Sequence, residues 1–280
     1  MNNNLGYNKK LFILPFDHRA SFAKMFGFVN LSDEEKDYIK SCKQIIYEAF
    51  KKSILQGISK DESAILVDEE YGDAILKDAK DQGFTTILTT EKSGNPTFDF
   101  EYEDQFGEHI EKYKPTFAKA LIRYKQNADW TKLKILSDYC HKNNYKFLLE
   151  VLSGLDIVKS ESLISIINEL RQKRIEPDVW KLEGMENKNE YEAVIEKIQE
   201  DERINVELVI LGRGENKEKV EQWINAGRLI KGVIGFAIGR TVFSKPLIEF
   251  KSGKISREET ISQIANNFKH FYDIFQLGRS

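Results

Sequence analysis

The chain has 280 residues, enough for one α/β barrel, a fold that often uses about 200–250 residues as a single domain. Its 42 basic and 45 acidic side chains leave a net charge of −3, which excludes a chain-wide basic field and predicts no nucleic-acid partner. Only two cysteines are present, which excludes a disulfide framework and predicts a reducing, cytoplasmic location. No apolar run approaches roughly 18 residues and the start of the chain has no signal-peptide pattern, so no membrane contact is expected.

Eight short runs rich in β-branched and aromatic residues recur along the chain and predict β-strands. They lie at Leu11–His18, Ala64–Glu69, Thr85–Glu91, Phe117–Tyr124, Lys146–Leu152, Asp178–Gly184, Val206–Arg213 and Gly232–Arg240. From the second run onward, the starts are spaced by roughly 20–35 residues, which is the length of a strand followed by a helix.

Charged stretches with helical periodicity separate these runs. The predicted helices span Ser32–Gln56, Glu70–Gln82, Trp130–Asn143, Ser160–Lys173, Asn189–Glu200, Lys217–Asn225 and Arg257–Phe275. The first helix opens with Ser-Asp-Glu-Glu, a capping-box pattern, and ends at Gly57. The first crossover is longer than the others, which predicts an extra helix. The loop-rich stretch Ser93–Phe106 is a candidate lid or binding loop.

Eight strand–helix units predict a closed parallel (β/α)8 TIM barrel that forms one domain over residues 11–280, behind an N-terminal tail of residues 1–10. An open doubly wound sheet is the main alternative. Such a sheet usually carries a Gly-rich phosphate loop after its first strand, and the sequence PFDHRAS at this point is not one. No linker rich in Pro, Gly or Ser divides the chain.

Ionisable residues gather at the carboxyl ends of the predicted strands. They are Asp17, His18 and Arg19; Asp68, Glu69 and Glu70; Glu91 and Lys92; Lys119 and Arg123; Glu150; Lys181 and Glu183; Arg213; and Arg240. All eight strand ends of a barrel meet at one rim, where active sites are built. Polar ends that simply face solvent are the alternative, which explains Lys119, Glu150 and Lys181 poorly because their neighbours are apolar. We therefore predict one shared site.

Two lysines are predicted to point into the barrel. Lys119 and Lys181 each lie within an apolar strand, and burying a lysine under an outer helix is costly. An ion pair with Glu150 or Glu183 is one reason for such a placement. The other is that a neutral lysine amine attacks a ketone to form a Schiff base, with a carboxylate moving the protons.

The ends of the seventh and eighth strands predict a phosphate site. LGRGENK and GFAIGRTVF each bring glycine and arginine to the rim at Gly212, Arg213, Gly239 and Arg240. Barrel enzymes frequently bind phosphate with these two loops, whose backbone N–H groups and arginines suit an anion. Two tight turns with solvated arginines are the plainer alternative.

Metal and hydrolase chemistry are less favoured by the sequence. Only His18 among the four histidines lies at a strand end, and no H-x-H, H-E-x-x-H or G-x-S-x-G pattern occurs. Oxygen ligands for Mg²⁺ from Asp17, Asp68, Glu69 and Glu91 are conceivable. We expect no metal and no cofactor, because cations already occupy the same rim.

The sequence resembles the aldolase domain that is fused to a kinase in bacterial inositol catabolism. The resemblance is carried by LFILPFDHRASFAKMFG, VDEEYGDAI, TTEKSGNPTFDFEYEDQFGEHIE, KALIRY, KFLLEVL, PDVWKLEG, VILGRG and GFAIGRTVFSKPL, and it covers about residues 11–277. More distantly, the chain is similar to class I tagatose-1,6-bisphosphate aldolase. The resemblance implies cleavage of 2-deoxy-5-keto-D-gluconate 6-phosphate to dihydroxyacetone phosphate and malonate semialdehyde.

The resemblance also implies roles for individual residues. Lys181 is the implied Schiff-base lysine, Glu150 the proton shuttle, and Lys119 a group that lowers the pKa of Lys181 or orients the ketone. Asp17 and His18 are implied to bind substrate hydroxyls where tagatose enzymes have Asp-Gln, and Gly212, Arg213, Gly239 and Arg240 to hold phosphate. The tagatose enzymes have Ser-Ala-Gly where this chain has Gly-Arg-Gly, so Arg213 is also a candidate carboxylate ligand.

We therefore predict a class I aldolase that acts on a phosphorylated keto-sugar or keto-sugar acid. Arg19, Glu91, Lys92 and Arg123 complete the predicted substrate contacts. The alternatives are a tagatose- or fructose-bisphosphate-type aldolase, a metal-dependent aldolase, an isomerase or epimerase that forms no imine, and a sugar-phosphate-binding barrel without activity. The expected partners are the small-molecule substrate and, because barrels often self-associate, a second copy in a homo-oligomer.

Overall fold

Eight parallel strands close into a barrel in a computed structural model that describes residues 5–155 and 158–278. The strands are β1 (Leu11–Pro15), β2 (Ser63–Val67), β3 (Thr85–Thr89), β4 (Phe117–Arg123), β5 (Lys146–Leu152), β6 (Val179–Glu183), β7 (Glu207–Leu211) and β8 (Val233–Ala237). Each strand pairs with the next along the chain, and β1 pairs with β8 to close the ring. The predicted (β/α)8 TIM barrel in a single domain is confirmed, and the doubly wound alternative is wrong.

Ten α-helices accompany the strands in the described part of the chain. They are α1 (Ala20–Met25), α2 (Asp33–Leu55), α3 (Glu69–Asp81), α4 (Phe106–Tyr113), α5 (Thr131–Lys142), α6 (Ser160–Gln172), α7 (Lys188–Gln199), α8 (Lys217–Gly227), α9 (Arg240–Lys251) and α10 (Arg257–Gln276). The seven predicted helices are present within two residues at each end, and the long first crossover holds α1 and α2. Ser32 and Glu35 form the predicted capping box at the start of α2.

Two helices and several strand ends differ from the prediction. The extra helix predicted in the first crossover is α1. No helix was predicted at α4 or α9, and the predicted eighth strand ran to Arg240, the first residue of α9. Most predicted strands also extended two or three residues too far, because the ladder of backbone hydrogen bonds ends before the polar residues begin. Asp17, Glu91 and Arg240 therefore lie just beyond their strands.

The strands bury side chains on both faces, as expected of a parallel barrel enclosed by helices. The interior is filled by Leu11, Ile13, Ala64, Leu66, Ile87, Phe117, Leu148, Val179, Val209 and Ala237. On the outside, α10 packs aromatic rings over the β1–β8 seam, where Phe12, Phe236 and Phe275 lie with ring centroids 5.3–6.2 Å apart. These layers fix the strand ends on which the site is built.

The amino end of the barrel is covered by the first described residues. The Gly6 amide donates to the buried Asp178 carboxylate at 2.8 Å, and the Tyr7 amide donates to the Asn205 carbonyl at 2.8 Å. The Tyr7 ring stands edge-on to Phe117 inside the barrel. The division into a tail of residues 1–10 and a barrel of residues 11–280 stays a prediction, and residues 1–4 and 279–280 lie outside the described chain.

Candidate functional site

A cavity of about 300 Å³ opens at the carboxyl ends of the strands. Its walls come from β1, β3, β4, β5, β6, β7 and β8 and the loops that follow them. The lining residues include Asp17, His18, Arg19, Glu91, Lys92, Lys119, Arg123, Glu150, Lys181, Arg213, Gly239 and Arg240. Twelve of the thirteen predicted site residues thus share one cavity, and Gly212 is the exception. The role of each residue stays a prediction.

A chain of buried ionic contacts crosses the floor of this cavity. The Lys119 and Lys181 ammonium groups lie 3.1 and 2.8 Å from the same Glu150 oxygen, Oε2. Lys119 Nζ also contacts Asp17 Oδ2 at 2.9 Å and donates to Glu91 Oε1. All five side chains are buried. The inward direction predicted for both lysines matches their place in the cavity wall, next to inward-facing Phe117 and Val179.

Lys119 is held as an ammonium ion by three carboxylates. Burial favours the neutral amine, but Asp17, Glu150 and Glu91 outweigh it and raise the pKa of Lys119 well above its usual value. Lys181, in contrast, has one carboxylate, Glu150, within 4 Å among the described residues. The two lysines therefore differ in how many of the described carboxylates contact them, three for Lys119 and one for Lys181.

The three carboxylates around Lys119 titrate differently. Burial raises the pKa of each, but Lys119 and other cations outweigh burial at Asp17 and Glu150, whose pKa values are lowered. At Glu91 burial prevails and the nearby Asp17 adds to it, so the pKa of Glu91 is raised. Thr89 Oγ1 also donates to Asp17 Oδ2 at 2.8 Å and fixes that carboxylate. Thr89 was not predicted because it carries no charge.

A glycine- and arginine-rich corner lies on the β7–β8 side of the cavity. Gly239 precedes α9, no side chain caps the start of this helix, and the Val242 and Phe243 amides donate to the Gly239 carbonyl. A Cβ on Gly239 would lie 2.2 Å from the Pro15 carbonyl, so only glycine permits this close approach. Arg240 Nη2 donates to the Arg213 carbonyl. Its guanidinium packs over Gly214, which has a φ of +81° and lines the cavity in place of Gly212.

Arg213 is engaged by protein groups. Its Nη1 lies 3.0 Å from Glu183 Oε1 and donates to the Leu155 carbonyl at 3.0 Å. Glu183 is buried and accepts two hydrogen bonds from Ser153 through Oε2. The sequence offered Glu183 as a partner for an inward lysine, but it pairs with Arg213 instead, and Arg213 adopts a φ of +54°. Arg240 is therefore the arginine of this corner without a carboxylate partner among the described residues.

The loop after β3 forms part of the cavity wall. Glu91 and Phe100 form an antiparallel bridge, and Arg19 ties this loop to the end of β1 by binding the Glu91 carbonyl and the Glu101 carboxylate. Arg123 Nη1 donates to the Asn95 carbonyl at 3.4 Å. Residues 93–106 thus include the bridge residue Phe100, a short 3₁₀ turn at Glu103–Gln105 and the first residue of α4. Closure over a substrate stays a prediction.

No group of three or more His, Cys, Asp or Glu residues in the described chain has an arrangement that holds a metal ion. The expectation that the protein uses no metal stays a prediction. None of the described helices is long and apolar enough to span a membrane.

Solved structures with the same fold include several aldolases. Fructose-bisphosphate aldolase from Plasmodium falciparum aligns with a TM-score of 0.68 and 12% identity, over 96% of this chain and 91% of that one. Cgl0159 from Corynebacterium glutamicum gives 0.56 and 17%, over 94% and 87%. The YdjI aldolase from Escherichia coli K12 gives 0.53 and 10%, over 95% and 91%. At these identities the similarity establishes the fold alone.

No curated protein matches the sequence. A family profile described as "Uncharacterized protein conserved in bacteria (DUF2090)" matches residues 3–279. The match covers almost the whole chain, and the protein therefore belongs to the DUF2090 family.

Proposed function

We propose that this protein is a class I aldolase that forms a Schiff base through Lys181. The observation that carries the proposal is the pair of buried lysines joined by one carboxylate oxygen at the barrel mouth, with Lys181 and Lys119 at 2.8 and 3.1 Å from Glu150 Oε2. A nucleophilic lysine needs a nearby group that takes its proton, and Glu150 is that group.

The two lysines divide the work in this proposal. Lys119 keeps its proton because three carboxylates surround it, so it acts as a fixed positive charge. Lys181 transfers its proton to Glu150 and attacks the substrate ketone, and Glu150 then returns a proton to the carbinolamine oxygen, which leaves as water. The resulting iminium accepts the electron pair of the cleaved C–C bond. Lys119 stabilises the carboxylate form of Glu150 before and after these transfers, because burial alone would disfavour it.

The preferred substrate is a phosphorylated keto-sugar acid. Arg240 and the amino end of α9 suit the phosphate, since charge-assisted hydrogen bonds and a helix dipole both favour an anion there. The resemblance of the sequence supports 2-deoxy-5-keto-D-gluconate 6-phosphate, cleaved to dihydroxyacetone phosphate and malonate semialdehyde. A second candidate is a bisphosphate: the name of one solved structure of the same fold favours fructose bisphosphate, and the more distant sequence similarity favours tagatose bisphosphate.

The test is a cleavage assay with purified protein on these three sugar phosphates. The dihydroxyacetone phosphate that is released is measured by coupling it to an enzyme that reduces it. Lys181→Met is expected to abolish cleavage, whereas Lys188→Met, a matched change at an exposed lysine beyond β6, is expected to leave it unchanged. Loss of wild-type activity on chelation would instead indicate a metal-dependent aldolase. Binding of the sugar phosphates without any cleavage would indicate a barrel that senses them.

A further inference from the structure

His18 lies at the cavity wall with one ring nitrogen enclosed. The residue follows Asp17 beyond the end of β1, and its side chain keeps 26% of its exposure. Its Nδ1 is buried, makes no hydrogen bond to any described residue, and lies 3.9 Å from Asp17 Oδ1. The ring packs edge-on against Phe243, with centroids 6.4 Å apart. Since Nδ1 faces the protein, Nε2 is the nitrogen that the ring offers to a molecule in the cavity.

The charges around His18 make this ring a neutral base. Burial lowers the pKa of His18 to about 4, against the attraction of Asp17 and Glu150, and Arg240 and Lys181 lower it further. A neutral imidazole carries one N–H and one lone pair. The Asp17 carboxylate is ionised at neutral pH and favours the proton on the nearer nitrogen, Nδ1. The lone pair is therefore on Nε2.

An aldol cleavage removes two protons, and it does so at different steps. One proton leaves Lys181 and another leaves the substrate hydroxyl on the carbon that becomes the aldehyde. The Glu150 oxygen that contacts Lys181 also contacts Lys119, so this oxygen is already occupied by the two lysines. His18 lies in the wall of the same cavity as a neutral base, and none of its described contacts is with either lysine.

We propose that His18 is a catalytic residue, the general base that removes the substrate hydroxyl proton in C–C cleavage. This inference rests on the proposed aldolase function. In the iminium complex, Nε2 takes the hydroxyl proton and the O–H electron pair forms the aldehyde C=O. The C–C bond breaks, and its electrons neutralise the iminium as an enamine. One positive charge passes from the iminium to His18, and Asp17 stabilises the imidazolium.

The experiment separates cleavage from imine formation. His18→Gln and His18→Asn are each compared with the wild type in two assays: cleavage of 2-deoxy-5-keto-D-gluconate 6-phosphate, and borohydride trapping of dihydroxyacetone phosphate on the protein. Cleavage is expected to fall about 10²–10⁴-fold, the usual contribution of a general base. Trapping is expected to proceed at the wild-type rate, because Lys181 and Glu150 are intact. Added imidazole is expected to restore part of the lost cleavage.

The outcomes distinguish this inference from the aldolase proposal itself. His270→Gln, a matched change at a partly exposed histidine on α10, is expected to change neither assay. Wild-type cleavage in both His18 variants would overturn the inference and leave the aldolase intact. Loss of trapping together with cleavage would also overturn it, because His18 would then act before the imine or in folding. Failure of the wild-type protein in both assays would overturn the aldolase proposal and this inference with it.

Discussion

Glu150→Gln is the substitution that most directly perturbs the lysine–carboxylate chain. It keeps the size of the side chain and removes the charge that both lysines contact. Lys119 retains Asp17 and Glu91, whereas Lys181 loses its carboxylate. The amide oxygen still accepts one hydrogen bond. We therefore expect a loss at the lower end of the range for a broken buried ion pair, about 3 kcal/mol in the free energy of unfolding.

Two measurements follow from this change. The melting temperature is expected to fall by about 6 °C, at roughly 2 °C per kcal/mol for a chain of this size. The turnover number for cleavage is expected to fall about 10²–10⁴-fold, because the amide cannot carry a proton between Lys181 and the carbinolamine. Glu161→Gln, at an exposed position on α6, is the matched control and is expected to change neither quantity. Wild-type turnover in folded Glu150→Gln protein would refute the proposed proton shuttle.

Three further predictions concern the phosphate corner, the amino end of the barrel and the aromatic seam. Arg240→Ala is expected to raise KM for the phosphorylated substrate about 10- to 100-fold, since a charge-assisted hydrogen bond contributes about 1.5–3 kcal/mol. The same change is expected to weaken the binding of inorganic phosphate measured by calorimetry, and unchanged phosphate binding would contradict this. Burial raises the pKa of Glu207 to about 7 against the attraction of Lys231, so ionisation costs stability as the pH rises from the unfolded value toward 7. Glu207→Gln is therefore expected to raise the urea midpoint at about pH 8 and to change it little at about pH 5. An equal change of the urea midpoint at both pH values would contradict the raised pKa of Glu207. Phe236→Ala removes a fully buried ring from the β1–β8 seam and is expected to cost about 3–5 kcal/mol in denaturant unfolding; a loss below about 1 kcal/mol would show that the seam tolerates a cavity.

The interior placement of the lysines was predictable because strand periodicity is simple. On β4, the alternation from Phe117 to Lys119 puts both side chains on one face, and the same spacing relates Val179 to Lys181 on β6. Each lysine is the third residue of its strand, and both line the cavity at the barrel mouth. The convergence of the strand-end residues on one cavity follows from the closure of the barrel.

The pairing of charges was less predictable because it depends on loop conformation. Arg213 contacts Glu183 from a left-handed backbone conformation, and no sequence pattern in LGRG requires that conformation. The start of α9 was hidden because the strand pattern continues into Gly239 and Arg240, and Pro246 lies inside the helix. The contact of Thr89 with Asp17 could not be inferred from charge at all.

The most direct test of the account is the identity of the lysine that forms the imine. The wild-type protein is reduced with borohydride in the presence of dihydroxyacetone phosphate, digested, and analysed by peptide mass spectrometry. The adduct is expected on Lys181, in the peptide that contains DVWKLEG, and absent from the Lys181→Met protein. An adduct on Lys119, or no covalent adduct at saturating dihydroxyacetone phosphate, would contradict the account.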